Sequence, residues 1–134
     1  MALHLHTVNT PQQQPQQPQT LDALLADEEL LAYPDVAETL GVPVTKVHDL
    51  VAAGKLVAYR KDGVRYIPAA LLDEGELSKF VAGAITVLAD GGFNPEEILH
   101  FLFTPDASLP GRPVDALHGH GAREVIRRAQ AMAF

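Results

Sequence analysis

One stretch of the chain decides the fold, residues 33–68, which read YPDVAETLGVPVTKVHDLVAAGKLVAYRKDGVRYIP. Pro34 suits the first turn of a helix, and Gly41 suits its end, because glycine readily adopts the left-handed conformation that closes a helix. Between Pro43 and Gly54 the apolar residues recur at spacings of three and four, which predicts a second short helix. Its predicted buried residues are Val44, Val47, Leu50 and Val51. The stretch therefore begins with two short helices joined by a tight turn.

The second half of this stretch predicts a β-hairpin. The dipeptide Asp-Gly at residues 62–63 lies between two β-prone runs, which is the strongest short-range signal for a hairpin. With these two as the turn residues, Arg60 pairs with Arg65 and Tyr59 pairs with Tyr66. The two arginines then make the tip of the hairpin cationic, and the two tyrosines on the other face are expected to pack against the rest of the protein.

Two short helices followed by a basic hairpin is the order of a winged helix-turn-helix. In that fold the second helix lies in the major groove of DNA, and the hairpin, called the wing, contacts phosphates or the minor groove. Side chains on the outer face of the second helix, in the following loop and in the wing are donors for phosphates and base edges. These candidate DNA-binding residues are Thr45, Lys46, His48, Lys55, Arg60, Lys61 and Arg65. The alternative is a helical hairpin that only packs the core, with Lys46 as a solvated surface charge.

The predicted pairing of Arg60 with Arg65 needs an explanation, because like charges directly opposite each other destabilise a sheet. A DNA phosphate between or beside the two would supply the missing anion. The alternative is that both side chains extend into water or pair with the acidic N-terminal segment.

The distribution of charge supports an anion-binding face. The formal net charge is −7, which at first argues against nucleic acid as a partner. Residues 1–40 contain six acidic residues and no Lys or Arg, whereas residues 41–68 carry a net charge of +3. Residues 69–111 are again acidic, at −6, and residues 112–134 carry +2. The asymmetry predicts a basic face on an acidic body.

We expect the whole chain to divide into four segments. Residues 1–19 are rich in Gln and Pro without a core-forming pattern, which predicts a disordered tail. Residues 20–32 predict an N-terminal helix, 33–72 the winged-helix head, and 73–134 a helical C-terminal domain. The predicted fold class is mainly α with a two-stranded β-wing, in which the head and a C-terminal helical bundle share one core.

Three features describe the predicted C-terminal helices. A continuous apolar stripe predicts a helix whose buried side includes Leu77 and Phe80. Asn94 followed by Glu97 predicts a capping box at the start of the next helix. Arginines 123, 127 and 128 of the last helix are a candidate second anion site, but Glu124 lies within helix-pair reach of two of them. A solvated face is therefore favoured there.

The sequence argues against catalysis and against bound cofactors or metals. It has no cysteine, no Gly-rich phosphate loop and no serine elbow. The pairs His4/His6 and His118/His120 have a ligand-like spacing but lack partners to complete a coordination shell, so helix caps and surface positions are favoured. No apolar run has the roughly 20 residues of a membrane span, and no signal peptide is apparent, so we expect a cytoplasmic, nucleoid-associated protein that is not an enzyme.

The quoted stretch resembles the heads of excisionase and MerR-type winged-helix proteins, in which VAExLGV opens the motif and GKL precedes the wing. The resemblance covers residues 32–72, where the motif reads VAETLGV. From Tyr33 to Phe134 the chain is similar to a family of short actinobacterial DNA-binding proteins, with a winged helix followed by a helical C-terminal domain of unknown function. The segments VLADGGF, EILHFLFTPDASL, GRPVDALH and AREVIRRAQAMAF carry this similarity. It implies binding of double-stranded DNA by the seven candidate residues, in transcriptional or nucleoid control.

Two further expectations concern protein partners. The segment GRPVDALH and the following Arg-rich helix also resemble the toxin-binding domain of some antitoxins, although this chain has no Trp. The alternative function is therefore a protein-interaction module that binds a partner or a second copy through its C-terminal helices. Threonines 7, 10 and 20 are candidate sites for a Ser/Thr kinase, because a phosphate on the tail would compete with DNA for the basic residues. The alternative is a tail that only keeps the protein in solution.

Overall fold

The computed structural model describes residues 19–109 and 111–133. The predicted tail, with Thr7, Thr10, His4 and His6, lies outside them apart from Gln19, and the division into segments stays a prediction. The described residues form a mainly α-helical chain with two small antiparallel sheets, which confirms the predicted fold class. In chain order the elements are α1 (Leu21–Leu24), β1 (Leu30–Ala32), α2 (Tyr33–Leu40), α3 (Val44–Ala52), β2 (Tyr59–Lys61), β3 (Val64–Pro68), a 3-10 turn (Ala69–Leu71), β4 (Leu72–Asp73), β5 (Glu76–Leu77), α4 (Lys79–Asp90), α5 (Pro95–Phe103), α6 (Pro113–Leu117) and α7 (Ala122–Ala133).

Helices α2 and α3 form the predicted helix-turn-helix. Pro34 lies in the first turn of α2, and Gly41 closes that helix with a φ of 71°, in the left-handed region. Helix α3 buries Val47 and Leu50 completely or nearly so. The expectation that Val44 is buried was wrong, because its side chain is 39% exposed. Val44 is the first residue of α3 and lies at the edge of the packed surface.

The first sheet has three strands in the order β1-β3-β2. The sequence predicted a helix over residues 20–32, but α1 ends at Leu24, and β1 instead pairs Leu31 with Ile67 of β3. Strand β2 pairs with one edge of β3 and leaves the other edge open. The short apolar segment that becomes β1 pairs with this open edge, and the pairing overrides its helical pattern. The wing is therefore the outer part of a three-stranded sheet.

A second hairpin, β4–β5, precedes the C-terminal helices and was not predicted. Its turn is Glu74-Gly75, and both residues have positive φ values. Ser78 caps α4 by accepting a hydrogen bond from the backbone N–H of Val81, so the helix starts after Leu77. Leu77 and Phe80 are 42% and 41% exposed, so the predicted apolar stripe was wrong at these two positions.

The C-terminal helices pack around α4 and α7, which run parallel. Gly83 approaches Ile126, and Gly91 approaches Ala133 so closely that an added Cβ would overlap the Ala133 side chain. The predicted capping box at the start of α5 is present. The fully buried side chains of these helices include Val81, Ile85, Leu88, Leu99, Leu102, Phe103, Leu117 and Val125.

Two polar contacts join the C-terminal part to the preceding residues of the chain. Arg112 forms an ion pair with Glu28, just before β1, and its guanidinium lies 5.2 Å from the ring centroid of Phe103. His118, the C-cap of α6, donates from Nε2 to the carbonyl oxygen of Ala70 at 2.6 Å. Together with a single apolar core that spans both parts, these contacts make the two parts one packed unit.

Candidate nucleic-acid interface

The outer face of α3 carries the three predicted donors of that helix. Thr45, Lys46 and His48 are all exposed, while Val47 and Leu50 on the opposite side are buried. The ring of His48 meets the ring of Tyr33 edge-on, with a centroid distance of 4.8 Å and an interplanar angle of 70°. This contact orients the imidazole of His48 on the face that a groove would meet.

Lys55 follows the end of α3 in a well-defined turn. Gly54 has a φ of 78°, and the backbone N–H of Lys55 donates to the carbonyl oxygen of Leu50 at 2.9 Å. This pattern is the usual closure of a helix by a left-handed glycine. It leaves the exposed Lys55 side chain between α3 and the wing.

The wing has the predicted register. Arg60 pairs with Arg65 across β2 and β3, and Lys61 pairs with Val64 next to the turn. The turn residues have φ values of 53° and 81°, which fits a type I′ turn. All three basic side chains are exposed. In residues 19–109 and 111–133, no carboxylate oxygen lies within 4.0 Å of either guanidinium, so neither arginine pairs with the described acidic N-terminal segment.

A hydrogen bond that was not predicted from the sequence joins the base of the wing to α1. Tyr59 is buried, and its hydroxyl donates to Oδ1 of Asp22 in α1. This hydrogen bond, together with burial, raises the pKa of Tyr59 to about 12. Thr20 begins α1 by accepting a hydrogen bond from the backbone N–H of Ala23 at 3.1 Å. Because Tyr59 and Asp22 are 37 positions apart in sequence, no local pattern could reveal their contact.

An acidic edge limits the basic face on one side. Glu74 and Glu76 of the β4–β5 hairpin line the same surface cavity as Lys46. The sequence showed these carboxylates as part of an acidic block, but their position beside α3 depends on the unpredicted hairpin. Among the described residues, the surface whose cationic side chains form no ion pair therefore runs from α3 toward the wing.

The arginines of α7 are arranged differently. Arg127 and Arg128 both bind Glu124 at 2.7 Å, and Arg128 also binds Asp106 at 2.9 Å. Hydrogen bonds from Arg127 and then Arg128 lower the pKa of Glu124. Glu124 of this helix thus forms ion pairs with Arg127 and Arg128, as its spacing from them indicated.

Metal-binding clusters and membrane-spanning helices are absent from the described residues. Within residues 19–109 and 111–133, no three His, Asp or Glu side chains gather as a metal-binding group. None of the helices in these ranges is long and apolar enough to cross a membrane. His120 is exposed, and the two buried side-chain polar atoms without a partner in the described part are the Tyr33 hydroxyl and Nδ1 of His118.

Comparisons with known proteins agree with this geometry. Family models match the DNA-binding protein Rv2175c, wHTH domain, over residues 16–72 and the Rv2175c C-terminal domain of unknown function over residues 79–133. The DNA-binding protein Rv2175c of Mycobacterium tuberculosis strain H37Rv is 47% identical over 126 residues, which cover 84% of this chain and 86% of that protein. The NMR structure of Rv2175c matches with a TM-score of 0.75 and 47% identity, over 81% of this chain and 83% of that chain.

These matches extend over both the head and the C-terminal helices, so they do not depend on the helix-turn-helix alone. They confirm the resemblance to a short actinobacterial family, whereas the likeness of the head to excisionase and MerR proteins stays a prediction. The chain belongs to the family of the DNA-binding protein Rv2175c, in which a winged helix-turn-helix domain is followed by a C-terminal domain of unknown function.

Proposed function

We propose that this protein binds double-stranded DNA and acts as a transcriptional or nucleoid regulator rather than as an enzyme. Its relative Rv2175c is named a DNA-binding protein, and this chain is 47% identical to it over 126 residues. One observation carries the proposal: the candidate residues are exposed on consecutive elements, and the wing arginines have no carboxylate partner among the described residues. We place the protein in the cytoplasm, associated with the nucleoid.

The residues have different proposed roles. Lys55, Arg60, Lys61 and Arg65 bind backbone phosphates, because they lie on the loop and the wing, which flank the groove-reading helix in this fold. Thr45, Lys46 and His48 face the major groove from α3. Phosphate contacts supply affinity that depends on salt, whereas contacts to base edges supply sequence preference.

The protein-interaction alternative finds less support. Helices α4 and α7 bury their apolar sides, including Ile85, Leu88 and Val125, against the molecule's own core. A Ser/Thr kinase acting on Thr7, Thr10 or Thr20 remains the protein partner that we propose. Thr20 is exposed, as a kinase substrate must be, and Thr7 and Thr10 lie outside the described residues.

The decisive experiment reverses the charge of the wing. Arg60→Glu combined with Arg65→Glu should reduce the affinity for a mixed-sequence DNA duplex by roughly two orders of magnitude, because attraction to phosphate becomes repulsion. The slope of log affinity against log salt should also fall by about one for each DNA phosphate that the variant no longer binds. Fluorescence anisotropy over a salt series measures both quantities.

The matched control is Arg123→Glu combined with Arg127→Glu on α7, which changes the net charge equally. We expect that variant to bind DNA much more tightly than the wing variant. Circular dichroism checks that both variants are folded. Equal reductions of affinity in the two variants would mean that net charge, and not the wing, determines binding.

A further inference from the structure

A cavity of about 370 Å³ lies between the wing and the C-terminal helices. Its lining residues belong to the end of α3, the following loop, the wing, and the segment from α4 to α5. Its volume falls in the range of about 300–1,000 Å³ that is usual for small-molecule sites. The apolar side chains that line it include Val51, Ala58, Ile85, Ala89, Phe93 and Ile98.

The charged side chains of its described lining are Arg60 and Arg65. The strand register explains why both face the cavity, since Arg60 and Arg65 are directly opposed and Tyr59 and Tyr66 occupy the other face of the hairpin. Two arginines at directly opposed strand positions therefore line a cavity whose other lining residues are apolar or glycine. Beside such a lining the effective dielectric constant is lower than in water, so an anion held there would be bound more strongly.

We propose that this cavity, the wing pocket, binds a small hydrophobic carboxylate. The apolar part would fill the space between α3, α4 and α5, and the carboxylate oxygens would accept hydrogen bonds from Arg60 and Arg65. Guanidinium groups suit this role because their planar donors match the geometry of a carboxylate. The anion also relieves the repulsion between two opposed arginines.

The volume sets the size of the ligand. A cavity of about 370 Å³ lies at the lower end of the usual range for small-molecule sites, which suits a ligand of roughly a dozen non-hydrogen atoms. Decanoate has this size, and it combines an apolar chain with one carboxylate. It is therefore the probe that we choose.

A consequence for regulation rests on the proposed function. If Arg60 and Arg65 bind DNA phosphate, a carboxylate in the wing pocket occupies the same donors, and the two ligands compete. Because both ligands need the same donors, DNA should weaken the binding of decanoate, and decanoate should weaken the binding of DNA.

The test is calorimetric titration of the full chain with decanoate, kept below its micellar concentration. Acetate and decan-1-ol, which supply the charge without the chain and the chain without the charge, serve as ligand controls. Decanoate should bind at least about tenfold more tightly than either of them. Two variants probe the two halves of the site: Arg60→Gln with Arg65→Gln removes the cationic rim, and Ala89→Leu fills the apolar space from the exposed side of α4.

Each variant should weaken decanoate binding by about tenfold or more, and a circular dichroism melt checks folding. Acetate binding as tight as that of decanoate, or decanoate affinity that Ala89→Leu leaves unchanged, would overturn the proposal in favour of simple anion binding at the surface. No heat of binding with the parent protein would overturn it as well.

DNA affinity is measured separately, with no carboxylate present. Ala89→Leu should leave it unchanged, because Ala89 lies on α4 and is not part of the proposed DNA interface, but it should abolish the inhibition of DNA binding by decanoate. A parent protein that fails to bind DNA would contradict the proposed function, while the calorimetric result would still decide whether the wing pocket binds a carboxylate.

Discussion

The wing and helix α7 both carry clustered arginines, and they differ in what surrounds them. Arg60 and Arg65 oppose each other without a carboxylate within 4.0 Å in the described part of the chain. On α7, in contrast, Arg128 is bound by both Glu124 and Asp106. Paired arginines stabilise contacts within the molecule, whereas unpaired ones leave donors for an external anion. The number of arginines in a segment therefore says less about anion binding than the position of the nearest carboxylate.

The first prediction tests whether a paired arginine stabilises the folded protein. It uses Arg112, which is partly buried and paired. Its side chain is 25% exposed, pairs with Glu28 and Asp115, and lies over Phe103. Arg112→Gln should lower the free energy of unfolding by about 1–2 kcal/mol, a value between those of exposed and buried ion pairs. Urea denaturation measures the change.

The matched variant is Arg65→Gln, which removes an exposed arginine that has no described partner. We expect its effect on stability to stay within about 0.5 kcal/mol, as is usual for surface substitutions. If Arg65→Gln destabilised the protein as much as Arg112→Gln, the wing arginine would have a structural role, and the contrast between paired and unpaired arginines would fail.

The second prediction concerns the alkaline stability of the wing. The hydrogen bond to Asp22 and burial raise the pKa of Tyr59 to about 12, above the ordinary value of 10.0. Between these two values the folded state retains a proton that the unfolded state has released, so the free energy of unfolding should fall as the pH rises from about 10 to 12. Below pH 10 the contribution of this group should be constant.

Tyr59→Phe should remove this part of the alkaline slope, because phenylalanine has no proton to release. Its cross-strand neighbour provides the control variant, Tyr66→Phe, which should keep the slope of the parent. Urea denaturation at several pH values gives the comparison. An unchanged slope in Tyr59→Phe would show that the contact with Asp22 does not control alkaline unfolding of the wing.

The sequence predicted the local features well, because each had a local physical cause. The turn at Asp62-Gly63 needs two positive φ values, and the capping box at Asn94 needs a Glu three residues later. The position of this turn alone predicts that Arg60 pairs with Arg65, as it does in the structure. The candidate residues are consequently found on the expected elements, although their contacts with DNA stay a proposal.

What could not be predicted depends on contacts between distant segments. Strand β1 exists because β3 offers it an edge, and Tyr59 meets Asp22 across 37 positions in sequence. The wing pocket likewise joins residues of α3, the wing, α4 and α5. Hydrophobic periodicity also failed at helix starts, where Val44 and Phe80 have the right spacing but lie at the edge of the packed surface.

The third prediction removes the carboxylate partners of the α7 arginines, so that these arginines resemble those of the wing. Glu124→Gln combined with Asp106→Asn removes the carboxylates that hold Arg127 and Arg128. If pairing is what keeps α7 from binding anions, the variant should bind mixed-sequence DNA more tightly at low salt. Its log–log salt slope should become steeper by about one for each arginine that newly binds a phosphate.

The control for this variant is Glu96→Gln combined with Asp90→Asn, which removes two negative charges from exposed positions that form no described ion pair. Fluorescence anisotropy over the same salt series compares the two. Equal changes in slope would mean that net charge alone acts, and no change in either would mean that the placement of α7, rather than its pairing, excludes DNA.

The last and smallest effect concerns a phosphate near the wing. Asp22, Arg60 and Lys61 line one surface cavity, and Thr20 lies two residues before Asp22 at the start of α1. A phosphate on Thr20 adds roughly −1.5 to −2 charges, and it would act on the wing as a tethered anion that competes with DNA. We expect the affinity for DNA to fall by about two- to tenfold at low salt, and this reduction should shrink as salt is added.

Thr20→Glu is a poor mimic, because the Thr20 hydroxyl also caps α1 through the N–H of Ala23. The test therefore uses protein phosphorylated by a Ser/Thr kinase, with Thr20→Asn as the control, since asparagine retains the cap and accepts no phosphate. Thr7→Val combined with Thr10→Val isolates the contribution of the two other threonines. If phosphorylation weakens DNA binding equally in the parent and in the Thr20→Asn variant, the effect arises at another hydroxyl, and the proposed influence of Thr20 on the wing is wrong.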